Sequence, residues 1–308
     1  MDCKILIGWI IALASVCGML FCGCKRDSAS ERLRPSLNQV ALDDTLVLPM
    51  PEIPENITVP AKRAAYAAVK WWDHVDFKDH KRSLDTAFME QNFSNFVMVL
   101  ANADTVAIQK AVDTLMDKAE RDPEAWQFLL EVVDKYLYDP NSPFHSDELY
   151  IPFLRHVTKS PLVNEGRRER ALYRLEMALK NRPGTMAADF RFLTREGTTM
   201  TLHEVKSSRP ILLIFYNPDC ESCEKVVDRL RRQNLTDIFT VLAIDAESDI
   251  GRWKATAGDM PYDWTVGHAV TPVLENDLYD LKASPTIYLL DADKKVAAKD
   301  ISPNQIVQ

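Results

Sequence analysis

Ile211–Phe215 reads ILLIF, an apolar run with no polar position in it. Such a strand can show neither face to water, so it belongs inside a sheet covered on both sides. It leads directly into YNPDCESC (Tyr216–Cys223) and then into EKVVDRLRRQN, a charged and helix-prone stretch. Buried strand, short turn and helix make a βα unit, with two thiols three positions apart at its corner. That spacing sets both sulfurs near one helix end, where free backbone N–H groups and the helix dipole favour a thiolate. A redox pair, half of a metal site and an inert local disulfide are the three readings open to it.

The texture upstream is different. Only Gly166 lies between Gly23 and Gly184, which suits helices and not a sheet. From about Ala64 to Asn181 apolar residues recur at helical spacing, as in Leu84, Phe88, Phe93, Phe96 and Leu100. Asp122-Pro123 is a helix restart, a capping Asp followed by Pro at the first helical position. Trp71-Trp72 reads as core. From Pro183 on, β-branched runs alternate with helical segments: DFRFLTREGTTMTL, RPILLIFYN, IFTVLAID, TIYLLD. The 308 residues leave room for a leader and roughly two domains at about 100–200 residues each. Net charge is −8 with no basic block, so nucleic acid is not expected as a partner.

The first residues, MDCKILIGWIIALASVCGMLFCGCKRDS, follow an export pattern: Lys4, an apolar stretch over Ile5–Cys22, then small residues and charge. FCGC (Phe21–Cys24) resembles a bacterial lipobox. The resemblance implies cleavage after Gly23 and a lipid on Cys24, placing the chain at a membrane and facing outside the cytoplasm. An uncleaved anchor is the alternative, since the run is about the minimum length of a span. Of the six cysteines, Cys3, Cys17 and Cys22 would leave with the signal and Cys24 would be acylated. Cys220 and Cys223 remain, in a compartment where disulfides persist. Residues 24–62 read as a Ser-, Pro- and charge-rich linker. His203 and His268 look isolated and no second CxxC follows, so a four-ligand zinc site is not expected.

In the same region ASPTIYLLD (Ala283–Asp291) puts Pro285 just before an apolar strand. Together with PGTMAADFRFLTREGTTMTLHEV, the strand–CxxC–helix, the insertion around Trp253–Val270 and a terminal hairpin, Gly184–Val307 resembles the membrane-tethered thioredoxin-like thiol–disulfide oxidoreductases of the TlpA/ResA type. That resemblance implies a thioredoxin-like α/β fold over 183–308, Cys220 as nucleophile and Cys223 as resolving thiol. It also implies a cis Pro285 facing them, with Ser284 and Pro285 docking substrate peptide. YAAVKWWDHVDFKD (Tyr66–Asp79) resembles a domain of unknown function that precedes thioredoxin-like domains in bacterial lipoproteins, giving an all-α domain over 63–182 with no chemistry attached.

The sequence also departs from the pattern. The position six before the first Cys, a buried carboxylate in thioredoxin, is Ile214. Asp219, Glu221 and Glu224 surround the thiols, and nearby negative charge disfavours a thiolate. Peroxiredoxins carry Thr and Pro where this chain has Asn217 and Leu213. The last helix of the fold is short or absent before Gln308, so the N-terminal helices are expected to cover one face of the sheet. The expectation is an extracytoplasmic thiol–disulfide oxidoreductase, reducing rather than oxidising. It would need no dissociable cofactor and would act on protein thiols and disulfides with electrons from an upstream thiol reductant. The alternative is a non-catalytic scaffold lipoprotein of the cell envelope.

Overall fold

A computed structural model describes residues 46–306. The export segment, Cys24 and most of the expected linker lie outside them. Among the described residues, seven α-helices precede the first strand: α1 (Pro60–Lys70), α2 (His80–Ser83), α3 (Thr86–Leu100), α4 (Thr105–Ala119), α5 (Pro123–Val133), α6 (Asp147–Val157) and α7 (Glu165–Leu179). The starts are written locally. Asp85, Asp104, Asp122, Ser146 and Asn164 each accept a hydrogen bond from a first-turn N–H of the helix that follows. Each such cap is worth about 1 kcal/mol. Trp72, Phe93, Phe96 and Phe153 fill the core between these helices, and Trp71 is buried beside them. None of the described helices is long and apolar enough to cross a membrane.

The expected linker up to residue 62 is shorter in the structure. Leu48 joins the helical core, its N–H donates to Asn92 Oδ1 at 2.7 Å, and Asn92 Nδ2 donates to the Leu46 carbonyl at 2.9 Å. A Pro-rich strap need not stay in water when a buried amide satisfies its backbone. Pro60 does not interrupt a helix either. It heads α1, where its missing N–H is no loss.

Beyond α7 come β1 (Arg191–Thr194), β2 (Thr199–Thr201), β3 (Ile211–Tyr216), α8 (Glu221–Arg231), β4 (Thr240–Asp245), α9 (Ile250–Thr256), β5 (Thr265–Ala269), β6 (Thr286–Leu290) and β7 (Val296–Ala298). They form one sheet in the order β2-β1-β5-β4-β3-β6-β7, with β3, β4 and β5 parallel and β6 antiparallel to β3. Every residue of β3 is buried. Ile211, Leu213 and Phe215 enter one apolar core with Phe190, Tyr279 and Tyr288. Leu212, Ile214 and Tyr216 enter the opposite core with Cys223, Val227 and Trp253. Phe215 pairs with Thr286, so the residues just before β6 arrive beside the carboxyl end of β3.

The helices do not cover a face of this sheet. Their apolar core stays separate, and their hydrogen bonds reach Asp277, Leu278 and Lys282 in the segment before β6, along with Asp300 and Lys299 just past the edge strand β7. On the far side, Arg195 donates to the carbonyls of Ala257, Met260, Pro261, Tyr262 and Trp264, which gives the irregular chain after α9 its path.

Gly267 in β5 lies opposite Thr194 where β1 joins the sheet. A Cβ there would sit 2.6 Å from Phe192 Cδ2, a ring with no exposed surface, and 3.2 Å from the Leu193 carbonyl oxygen. Gly267→Ala is therefore expected to destabilise the protein by about 1–3 kcal/mol, the usual cost of overpacking. Denaturant unfolding checks this; a midpoint equal to that of the parent would contradict the close approach.

Candidate active site

Buried β3 ends at Tyr216, the chain turns through Asn217–Asp219, and α8 begins at Glu221. Cys220 is the N-cap residue of α8. Its sulfur takes the place usually held by a Ser or Asp oxygen and accepts the Cys223 N–H at 3.3 Å. Cys220 is partly exposed, whereas Cys223, in the first turn of α8, is 2% exposed; both are free thiols.

Across from them the Ser284–Pro285 peptide is cis. The Cys220 thiol donates to the Ser284 carbonyl at 3.4 Å, and the Ser284 hydroxyl lies 3.1 Å from Cys223 Sγ. The structure therefore brings all four residues Cys220, Cys223, Ser284 and Pro285 to one corner of the sheet. A cleft of about 380 Å³ opens beside the thiols, walled by Val227 and Arg231 of α8, by Thr256 at the end of α9 and by Met260 beyond it.

The two thiols differ electrically. Partial burial works against a thiolate at Cys220, but it is outweighed by the Cys223 thiol, the N–H groups of Cys223 and Ser222, and Ser284, so its pKa falls below the ordinary thiol value. Burial dominates at Cys223 and pushes it up to about 11, against an opposing contribution from the Asn217 backbone. Two of the three acidic residues expected to hold Cys220 up are paired with cations. Asp219 is paired with Arg252, its Oδ1 accepting from Nε at 2.6 Å, and Glu221 with Lys225 at 2.6 Å.

His268 is not isolated. Its Nδ1 lies 2.7 Å from Asp245 Oδ2, its ring is tilted against Trp253, and the pair is buried next to Tyr216 on the Cys223 side of the sheet. Burial raises the Asp245 carboxyl above the usual range. Ile214, by contrast, is core and offers Cys223 no carboxylate. Sequence reasoning missed this pair because Asp245 and His268 meet only across the parallel β4–β5 ladder. The one local signal was an Asp closing an otherwise apolar strand.

Residues 22–181, more than half of the chain, match a family described as a domain of unknown function (DUF5106). The chain belongs to the DUF5106 family. Beyond the DUF5106 region the fold is thioredoxin-like. A thioredoxin-like protein from Bacteroides caccae is 30% identical, with a TM-score of 0.76, over 84% of this chain and 96% of that one. A conserved protein of unknown function from Bacteroides fragilis is 33% identical over 41% of this chain and 96% of its own, with a TM-score of 0.39. The thioredoxin domain of a thiol-disulfide oxidoreductase from Bacteroides vulgatus is 18% identical over 41% and 93%, with a TM-score of 0.33. No curated protein matches.

The thiol asymmetry has a measurable sign. Alkylation needs the thiolate. In the reduced protein Cys220 is expected to react with iodoacetamide with a midpoint below that of an ordinary cysteine, while Cys223 stays unmodified until the pH nears its pKa of about 11. Peptide mapping across a pH series checks this; equal labelling of both at neutral pH would contradict it.

Proposed function

We propose that this chain is a thiol–disulfide oxidoreductase that reduces disulfides in other proteins outside the cytoplasm. The observation that carries this reading is the pairing of an accessible, pKa-lowered Cys220 with a shielded, pKa-raised Cys223 under the Ser284–Pro285 edge. The Cys220 thiolate attacks one sulfur of a substrate disulfide. A mixed disulfide forms and the other substrate sulfur leaves as a thiolate, which takes up a proton. Cys223 then gives up its proton and attacks Cys220 Sγ, releasing the second substrate thiol. The substrate gains two electrons and two protons, and Cys220–Cys223 is left as a disulfide. An upstream dithiol protein would return those electrons, with no dissociable cofactor.

The reducing direction rests on what stabilises the Cys220 thiolate. Strong oxidants owe their potential to a stabilised reduced form. Here hydrogen-bond donors lower the Cys220 pKa. The nearby Arg252 and Lys225 are already engaged by Asp219 and Glu221. A thiolate held by neutral donors matches a reductant. The lipobox-like FCGC supports placement at the cell envelope through a lipid on Cys24.

Insulin reduction with dithiothreitol as electron source tests the activity. The parent is expected to turn over and Cys220→Ser to fall to the uncatalysed rate; indistinguishable rates would favour the scaffold alternative. Cys223→Ser should accumulate mixed disulfides through Cys220, which identifies substrates directly. A glutathione equilibrium that leaves the pair mostly reduced, as in strong oxidants, would overturn the direction.

A further inference from the structure

The segment that ends in Ser284–Pro285 is held from outside by the DUF5106 helices. Asp147, the first residue of α6, is buried to 1% side-chain exposure, and its Oδ1 accepts from Lys282 Nζ at 2.9 Å. Lys282 is itself 13% exposed, pairs with Asp280 at 3.0 Å, and lies with its ammonium 5.0 Å from the Tyr138 ring centroid. The other Asp147 oxygen is taken by Lys299. Earlier in the same segment, Lys180 Nζ donates to the Asp277 carbonyl and Asn181 Nδ2 to the Leu278 carbonyl, each at 2.8 Å, while Tyr173 Oη donates to Asp277 Oδ1 at 3.0 Å. Residues 277–282 thus meet the helical region on one side, and two residues further on Ser284 meets both sulfurs on the other.

A buried ion pair is weak evidence for stability, since desolvation offsets much of its attraction. What it does supply is a fixed position. The Lys282 ammonium is confined between two carboxylates and an aromatic ring, a geometry with far less freedom than an apolar contact. From Lys282 to Ser284 is at most about 7 Å of chain, too short to absorb a displacement.

We propose that Asp147 of the DUF5106 region is a positioning residue for thiol–disulfide exchange, acting through Lys282 to fix the Ser284–Pro285 edge against Cys220 and Cys223. This rests on the oxidoreductase reading and gives the helical region a role in it. The helices touch no reacting atom; they set the distance between the docking edge and the thiols.

Lys282→Met tests the lever while leaving Asp147 neutralised by Lys299. Glu148→Gln is the control. It is the next residue of α6, and its ion pair is with Arg182, at the end of the helical region, without reaching the Ser284 segment. Two readouts are taken at equal folded fraction by circular dichroism: the rate of Cys220 alkylation by iodoacetamide in the reduced protein, and kcat/KM for insulin. Lys282→Met is expected to change the alkylation rate several-fold and to lower kcat/KM about tenfold, within the range that misplacement of about 1 Å produces. Glu148→Gln should leave both unchanged. Asp147→Glu, which keeps the charge, should lie between Lys282→Met and the parent. Should Lys282→Met fail to fold, Lys282→Arg carries the same readouts. Unchanged alkylation in the Lys282 variant, or equal changes in it and in Glu148→Gln, overturns the proposal. A parent inactive on insulin removes the functional reading and leaves the alkylation comparison to decide the positioning.

Discussion

The Cys220 sulfur caps the helix whose first turn carries Cys223, and the chemistry of the site hangs on that one contact. Through it the first thiol collects the unpaired N–H groups of α8 while staying at the surface, and the second is turned inward. The corner that makes this possible is a packing result. β3 buries side chains into two separate cores, so its end cannot shift toward either face. Its register with β6 then delivers Ser284 to both sulfurs at once.

Charge around the thiols shows why a list of neighbours in sequence can mislead. Asp219, Glu221 and Glu224 lie within four positions of Cys220, and a linear reading makes the corner strongly acidic. In the fold, Arg252 arrives from α9 and Lys225 from one turn along α8, each occupying a carboxylate. The donors at the corner, the Cys223 thiol first and then the Cys223 and Ser222 N–H groups and Ser284, move Cys220 down and not up.

Much of the architecture could be read directly. ILLIF could only be an interior strand, the Asp122-Pro123 restart marks where a helix begins, and the CxxC stands at the strand-to-helix corner, with Ser284-Pro285 set opposite it by the family resemblance alone. These are signals carried by neighbours in the chain. What stayed hidden depends on partners far apart. Asp147 and Lys282 are separated by 135 positions, Asp245 and His268 by 23, and nothing near either partner announces the other. The strap at Leu46–Leu48 was hidden for a different reason. Its composition is that of a linker, and only the Asn92 amide, 44 residues on from Leu48, makes it part of the fold.

Arg195 has a consequence for how this protein could diverge from its relatives. The bend from Ala257 to Trp264 is organised by one guanidinium that binds the bend's carbonyl oxygens and none of its side chains. Tyr262 projects from it almost wholly into solvent, and Met260 borders the cleft beside the thiols. That rim has an inherited outline and an unassigned alphabet: evolution can rewrite its exposed letters without redrawing the backbone beneath.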